Sequence, residues 1–173
     1  MTFQYFISKI NWRQILIHFV AFWFFILSFQ TLSYLHNIKL IKILQHSNES
    51  SLNKDLSDNG IKSSEFVNTM IWINVSGFFG LLIAGSISLA ISIRRHWLWV
   101  NTLIAFIMIY IFNRLNFLGW HNLMRLVWYL CRTLNNSTFV FLFIGIIFLI
   151  SGILMFSLKR TIRFIENYRM AAV

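Results

Sequence analysis

The chain is 173 residues long, 58% hydrophobic, 18% aromatic and only 12% charged, with a mean hydropathy of +0.68. A soluble domain carries about twice that share of charge, so the composition excludes an ordinary soluble globule and implies a polytopic membrane protein. The net charge of +10, from 15 Lys and Arg against 5 Asp and Glu, does not indicate nucleic acid here, because most of the cations flank apolar runs where they anchor and orient helices.

The first apolar run, 14–34, is long enough to cross a hydrocarbon core of about 30 Å, which takes about 20 residues. No small-residue cleavage site follows it, so it is expected to act as an uncleaved insertion signal. A polar outer loop, 35–65, comes next. Its first part, 38–44, reads as an extension of the first helix past the surface. Its Ser-, Asn- and Asp-rich centre, ending in Asn59-Gly60, reads as a flexible loop, and Ser64 followed by Glu65 marks the next helix start. After Glu65 no carboxylate occurs until Glu166.

The second span, 66–93, carries the most regular spacing in the chain: Ser76, Gly80, Ala84, Ser88 and Ser92 recur at every fourth position. Lipid tails do not drive helices together hydrophobically, so close approach over small residues is how membrane helices pack. The stripe is expected to serve packing within the bundle before any contact with a second copy, with Gly145 and Gly152 of the fourth span as the mating surface. A third span covers 97–113. The complete absence of Pro gives no sign of the kinked helices common in transporters.

The stretch 114–134 is different. Wound at about 100° per residue, Arg114, His121, Arg125 and Arg132 fall within roughly 40° of one another, opposite Leu115, Leu123, Leu126, Val127 and Leu130. A span here would hold His121 and Arg125 near mid-bilayer, where an arginine costs about 2.5 to 3.5 kcal/mol. The stretch therefore reads as an amphipathic helix lying in the membrane surface, with Trp120, Trp128 and Tyr129 at headgroup depth. A break at Gly119 would free Arg114 from the stripe and leave His121, Arg125 and Arg132 in phase. The fourth span, 139–158, continues into a basic tail, 159–173.

The expected fold is all-α: one membrane domain over 1–173, with four transmembrane helices and one interfacial helix between helices three and four. With the N-terminus inside, Lys9, Arg13, Arg94, Arg95, Lys159, Arg160, Arg163 and Arg169 lie on the cytoplasmic side against seven cations outside. The tightest clusters then adjoin span ends, as the positive-inside rule prefers. Both termini are expected in the cytoplasm, and the membrane to be a bacterial inner membrane.

Chemistry-bearing constellations are sparse. Gln30, Asn68, Asn74 and Asn101 are amides in or near spans, which commonly join helices. Gln30, Asn68 and Asn74 share the outer half and form the candidate polar patch for a small ligand. The five His offer no pair on one helix and no companion Cys or carboxylate, so no metal, haem or other cofactor is expected. Cys131 stands beside Arg132, which would lower its pKa, but no base or orienting acid accompanies it. No catalytic residue is assigned, and an enzyme is not expected. The expected function is that of a non-enzymatic accessory, scaffold or sensor protein. It would bind membrane lipid, a protein partner or a second copy through Arg114, His121, Arg125, Arg132, Trp120 and Trp128. The alternative is a small homo-oligomeric pore or carrier, against which stands the lack of an intramembrane carboxylate.

Overall fold

Asn11 starts the first helix, α1 (Trp12–Ser33), by accepting a hydrogen bond from the Gln14 amide at 3.2 Å, the usual service of an N-cap side chain. The computed structural model describes residues 10–47, 51–94, 99–114 and 120–171, with backbone alone at 94, 114, 120–125 and 158–171. At 22 residues, α1 is about 33 Å long, close to the thickness of a hydrocarbon core. A 3-10 turn (Tyr34–Asn37) then leads into α2 (Ile38–His46), capped by Asn37, whose Oδ1 accepts from the Leu40 amide at 3.1 Å.

The loop expected to be flexible at its centre contains a further helix, α3 (Leu52–Asp58). Its Asn59-Gly60 end is a helix cap. Gly60 takes φ +69°, its amide donates to Ser57, and the Ile61 amide reaches back to Leu56 at 2.9 Å. This is the paired closure that a left-handed glycine makes possible. Leu56 and Ile61 bury together with Leu40 and Ile43 of α2. The apolar positions hidden among the polar ones thus give the segment a small core of its own.

Four more helices follow among the described residues: α4 (Ser63–Arg94), α5 (Trp99–Arg114), α6 (Trp120–Leu134) and α7 (Ser137–Ala171). Asn135, at φ 48°, ends α6, and Asn136 caps α7 by accepting from the Phe139 amide at 3.1 Å. Among the described residues all regular structure is helical. Three stretches are long and apolar enough to cross a membrane: Trp12–His46, Ser63–Ile93 and Ser137–Ser157. The apolar part of α5, Trp99–Asn113, is shorter. Arg114 closes α5, and the direction of its side chain lies outside the described residues.

The first helix is the hub, packed against α4, α7 and α5. Residue pairing sets the directions. His18 meets Ser88 and Gly80 meets Phe25, so α4 runs antiparallel to α1. Gln14 meets Asn101 and Phe22 meets Phe106, so α5 runs parallel to it. The small-residue stripe Ser76, Gly80, Ala84, Ser88 and Ser92 is buried throughout and faces α1. A Cβ on Gly80 would stand 2.7 Å from the Phe25 carbonyl oxygen. The expected mating surface is corrected. Gly145 lies under Leu32, and Gly152 under Phe25 and Ala21, so both glycines admit α1 and neither meets the α4 stripe. The reason is order in space: α1 sits between α4 and α7, and each flank carries its own small residues to let it in.

Candidate functional site

Polar side chains gather at both ends of this bundle. At the end where α1 and α5 begin, His18 is 2% exposed, with Nδ1 at 2.6 Å from Ser88 Oγ and 3.3 Å from Thr102 Oγ1. Thr102 lies 3.1 Å from Ser88 and 2.9 Å from Ser92, so an imidazole and three hydroxyls form one connected chain. One helical turn before His18, Gln14 Oε1 accepts from Asn101 Nδ2 at 3.1 Å, and Asn101 Oδ1 accepts from the Asn11 amide at 3.3 Å. The rings of Phe156 and Phe22 close over the imidazole at 5.8 and 6.3 Å. Gln14 Nε2 has no hydrogen-bond partner among the described residues.

This junction ties α1, α4 and α5 together where water is scarce. In such surroundings polar groups must satisfy one another, and each interhelical bond contributes about 0.6 kcal/mol on average. Ser88 and Ser92, read from sequence as packing residues, also supply hydroxyls. Gln14, His18 and Thr102 share no motif in the sequence. The available signal was matching depth: all three lie within two turns of the same ends of two spans.

At the opposite end α6 is latched onto α2. Gln45, 4% exposed, donates from Nε2 to the Cys131 carbonyl at 3.0 Å, and Arg132 Nε donates to the Gln45 carbonyl at 2.9 Å. Each bond meets a helix need, because the last carbonyls of α2 lack partners within the helix and a cation there complements the helix dipole. Aromatic contacts seat the same face. Trp128 lies 5.1 Å from Phe141 and 6.1 Å from Tyr34, with Tyr34 stacked on Phe141 at 5.0 Å. Val127 and Cys131 are buried beside them. Leu126, Tyr129 and Leu134 remain 58%, 66% and 57% exposed, and Arg132 is exposed as well. The exposed part of α6 is therefore apolar on one side and cationic on another.

The structure places Trp128 half-buried against the bundle, where it seats α6. Arg132 combines its carbonyl contact with an exposed position. The side chains of Arg114, Trp120, His121 and Arg125 lie outside the described residues; His121, Arg125 and Arg132 stand 4 and 7 residues apart along α6. The expected patch of Gln30, Asn68 and Asn74 does not come together. Gln30 is buried under Gly77, and Asn74 is exposed and donates to its own helix at Met70. Asn68 is exposed and lines a cleft of about 530 Å³ with His36, Asn37, Glu65, Thr69 and Trp72. One-dimensional depth put these amides level, but the azimuth of α4 turns two of them away from α1.

Burial pushes the Cys131 thiol up to about 11. That corrects the expected lowering by Arg132: the guanidinium Nε is directed at the Gln45 carbonyl, and desolvation of the thiolate decides the sign. Among the described residues no three His, Cys, Asp or Glu side chains group as metal ligands would. No family model, curated protein or solved structure matches this chain.

Proposed function

We propose that this is a non-enzymatic integral membrane accessory, scaffold or sensor protein that acts by binding a protein partner, anionic lipid or both. The observation that carries this reading is α6. It is a strongly amphipathic helix without a carboxylate, fixed to the bundle by Gln45, Trp128 and Cys131, with Leu126, Tyr129, Leu134 and Arg132 left exposed. A helix of this kind, held rather than free, suits the plane of a membrane surface, with its leucines toward acyl chains and its cations toward phosphate. Within this reading α5 is the fourth span and α6 the interfacial helix. Both termini lie on the cytoplasmic side of a bacterial inner membrane.

A small homo-oligomeric pore or carrier is the second reading, and the His18 junction is what favours it, since a chain of hydroxyls and an imidazole can order protons or water. The two readings separate in one experiment. The triple change Arg114→Gln, Arg125→Gln and Arg132→Gln is expected to strip co-purifying anionic lipid or protein partner from the particle while leaving liposomes containing the protein free of ion or solute flux. Unchanged lipid and partner association in that variant would remove the binding role of these arginines, and flux through the wild-type protein would establish the carrier.

A further inference from the structure

A second cationic feature lies next to α6 and belongs to a different element. Lys39, Lys42 and His46 are spaced by 3 and 4 residues on α2, which puts them on one face, and all three are exposed. Opposite them α3 presents Asp55 and Asn59. Between the two helices lies a cleft of about 450 Å³ lined by Lys39, Lys42, Ile43, His46, Ser47, Asp55 and Asn59.

Three features of the cleft select an anion. Among the described residues neither lysine lies within ion-pair distance of a carboxylate, although Asp55 faces the same space. Asp55 Oδ2 accepts from Ser51 Oγ at 2.8 Å, and the hydroxyls of Ser47 and Ser51 hold its carboxyl below the usual range, so it stays a single negative charge outnumbered by the two ammonium groups. The negative end of α2 is quenched as well. The Ile43 carbonyl accepts from the Ser47 amide at 2.9 Å, and the Gln45 carbonyl accepts from Arg132. Two ammonium groups and an imidazole then face a space large enough for a phosphate ester. The 22 residues of α1 span about 33 Å, close to the thickness of a hydrocarbon core, so a bilayer crossed by α1 would set the start of α2 at headgroup level.

We infer that the α2–α3 cleft binds the phosphate group of an anionic phospholipid, with Lys39, Lys42 and His46 as its donors. The inference rests on the reading that lipid is among the molecules this protein binds, and it moves the specific contact from α6 to α2. Lysine ammonium groups take phosphate as point charges with freely rotating donors. Ile43 on the rim of the cleft offers an apolar support for the start of an acyl chain.

The test uses the full chain in a neutral detergent, with short-chain phosphatidylglycerol titrated against thermal unfolding. Short-chain phosphatidylcholine and inorganic phosphate are run in parallel. The expected result is saturable stabilisation by phosphatidylglycerol, weakened about 30-fold in Lys39→Gln/Lys42→Gln. Binding should be retained in Lys39→Arg/Lys42→Arg and in the control Lys54→Gln/Lys62→Gln, whose lysines lie outside the cleft. Inorganic phosphate acting with the same lysine dependence would keep the phosphate site and assign it to a free anion. Equal binding by the Lys39/Lys42 glutamine pair and the wild type, or equal loss in the control pair, would overturn the inference. The arginine triple separates the two proposals: if it keeps lipid association while the lysine pair loses it, the α6 reading fails and the cleft stands.

Discussion

Gly80 is the residue on which the closest helix contact turns. A methyl group there would stand 2.7 Å from the Phe25 carbonyl oxygen and 3.0 Å from the Phe29 ring, and backbone cannot swing aside as a side-chain tip can. Gly85, by contrast, would place its methyl 3.3 Å from the edge of Phe106. Gly80→Ala should therefore destabilise the protein by about 1–3 kcal/mol. Gly85→Ala should fall near neutral, because helix propensity gains about 0.5–1 kcal/mol against a mild crowding. Unfolding in mild detergent reads both. Asn101→Leu should cost about 1–3 kcal/mol, since it leaves Gln14 Oε1 and the Asn11 amide without their partner; an equal cost for Thr133→Val, exposed on α6, would show that the amide pair has no special role. Cys131 gives a pH signature. Its thiol is raised from an ordinary 9.0 to about 11, so folding favours the protonated form. That stability is complete below pH 9 and is lost as pH rises from 9 toward 11. Cys131→Ala should lack this alkaline component when its unfolding is compared with wild type across that window.

At the scale of elements, what the sequence disclosed depended on whether the signal was periodic. The α4 stripe is a one-residue-in-four pattern and was legible, as was the amphipathic character of α6. Its partner was not, because Gly145 and Gly152 on α7 carry the same small-residue signal toward α1 and periodicity says nothing about which helix fills the groove. The α2–α3 hairpin was hidden for another reason. Four buried apolar residues, Leu40, Ile43, Leu56 and Ile61, are diluted among Ser, Asn, Asp and Lys, and only their meeting in space shows a core. The polar sites resisted for the same cause: Gln14 and Asn101, or Gln45 and Cys131, are 87 and 86 residues apart. The latch between α2 and α6 is directly testable. Gln45→Leu leaves the buried Cys131 carbonyl without its donor and should loosen α6 by about 1–2 kcal/mol, read as faster amide exchange through Val127 to Leu134 with exchange in α4 unchanged. Uniform loosening of both helices would mean that the latch is a global stability contact.

For the molecule as a whole, α1 is enclosed by α4, α5 and α7, polar groups are paired at one end, and amphipathic and cationic helices gather at the other. Composition and the lengths of the apolar runs disclosed an all-helical chain, and three of its helices are long and apolar enough to cross a membrane. The proposed function is that the protein holds an anionic lipid or a partner at the α2–α6 end. The most direct test is the mass of the intact particle released in mild detergent at native expression level, with identification of every protein and lipid it carries. The expected result is retained anionic phospholipid or a stable unlike partner, lost when the cations of that end are removed. A bare homo-oligomer, free of both and conducting ions or solutes when returned to liposomes, would contradict it.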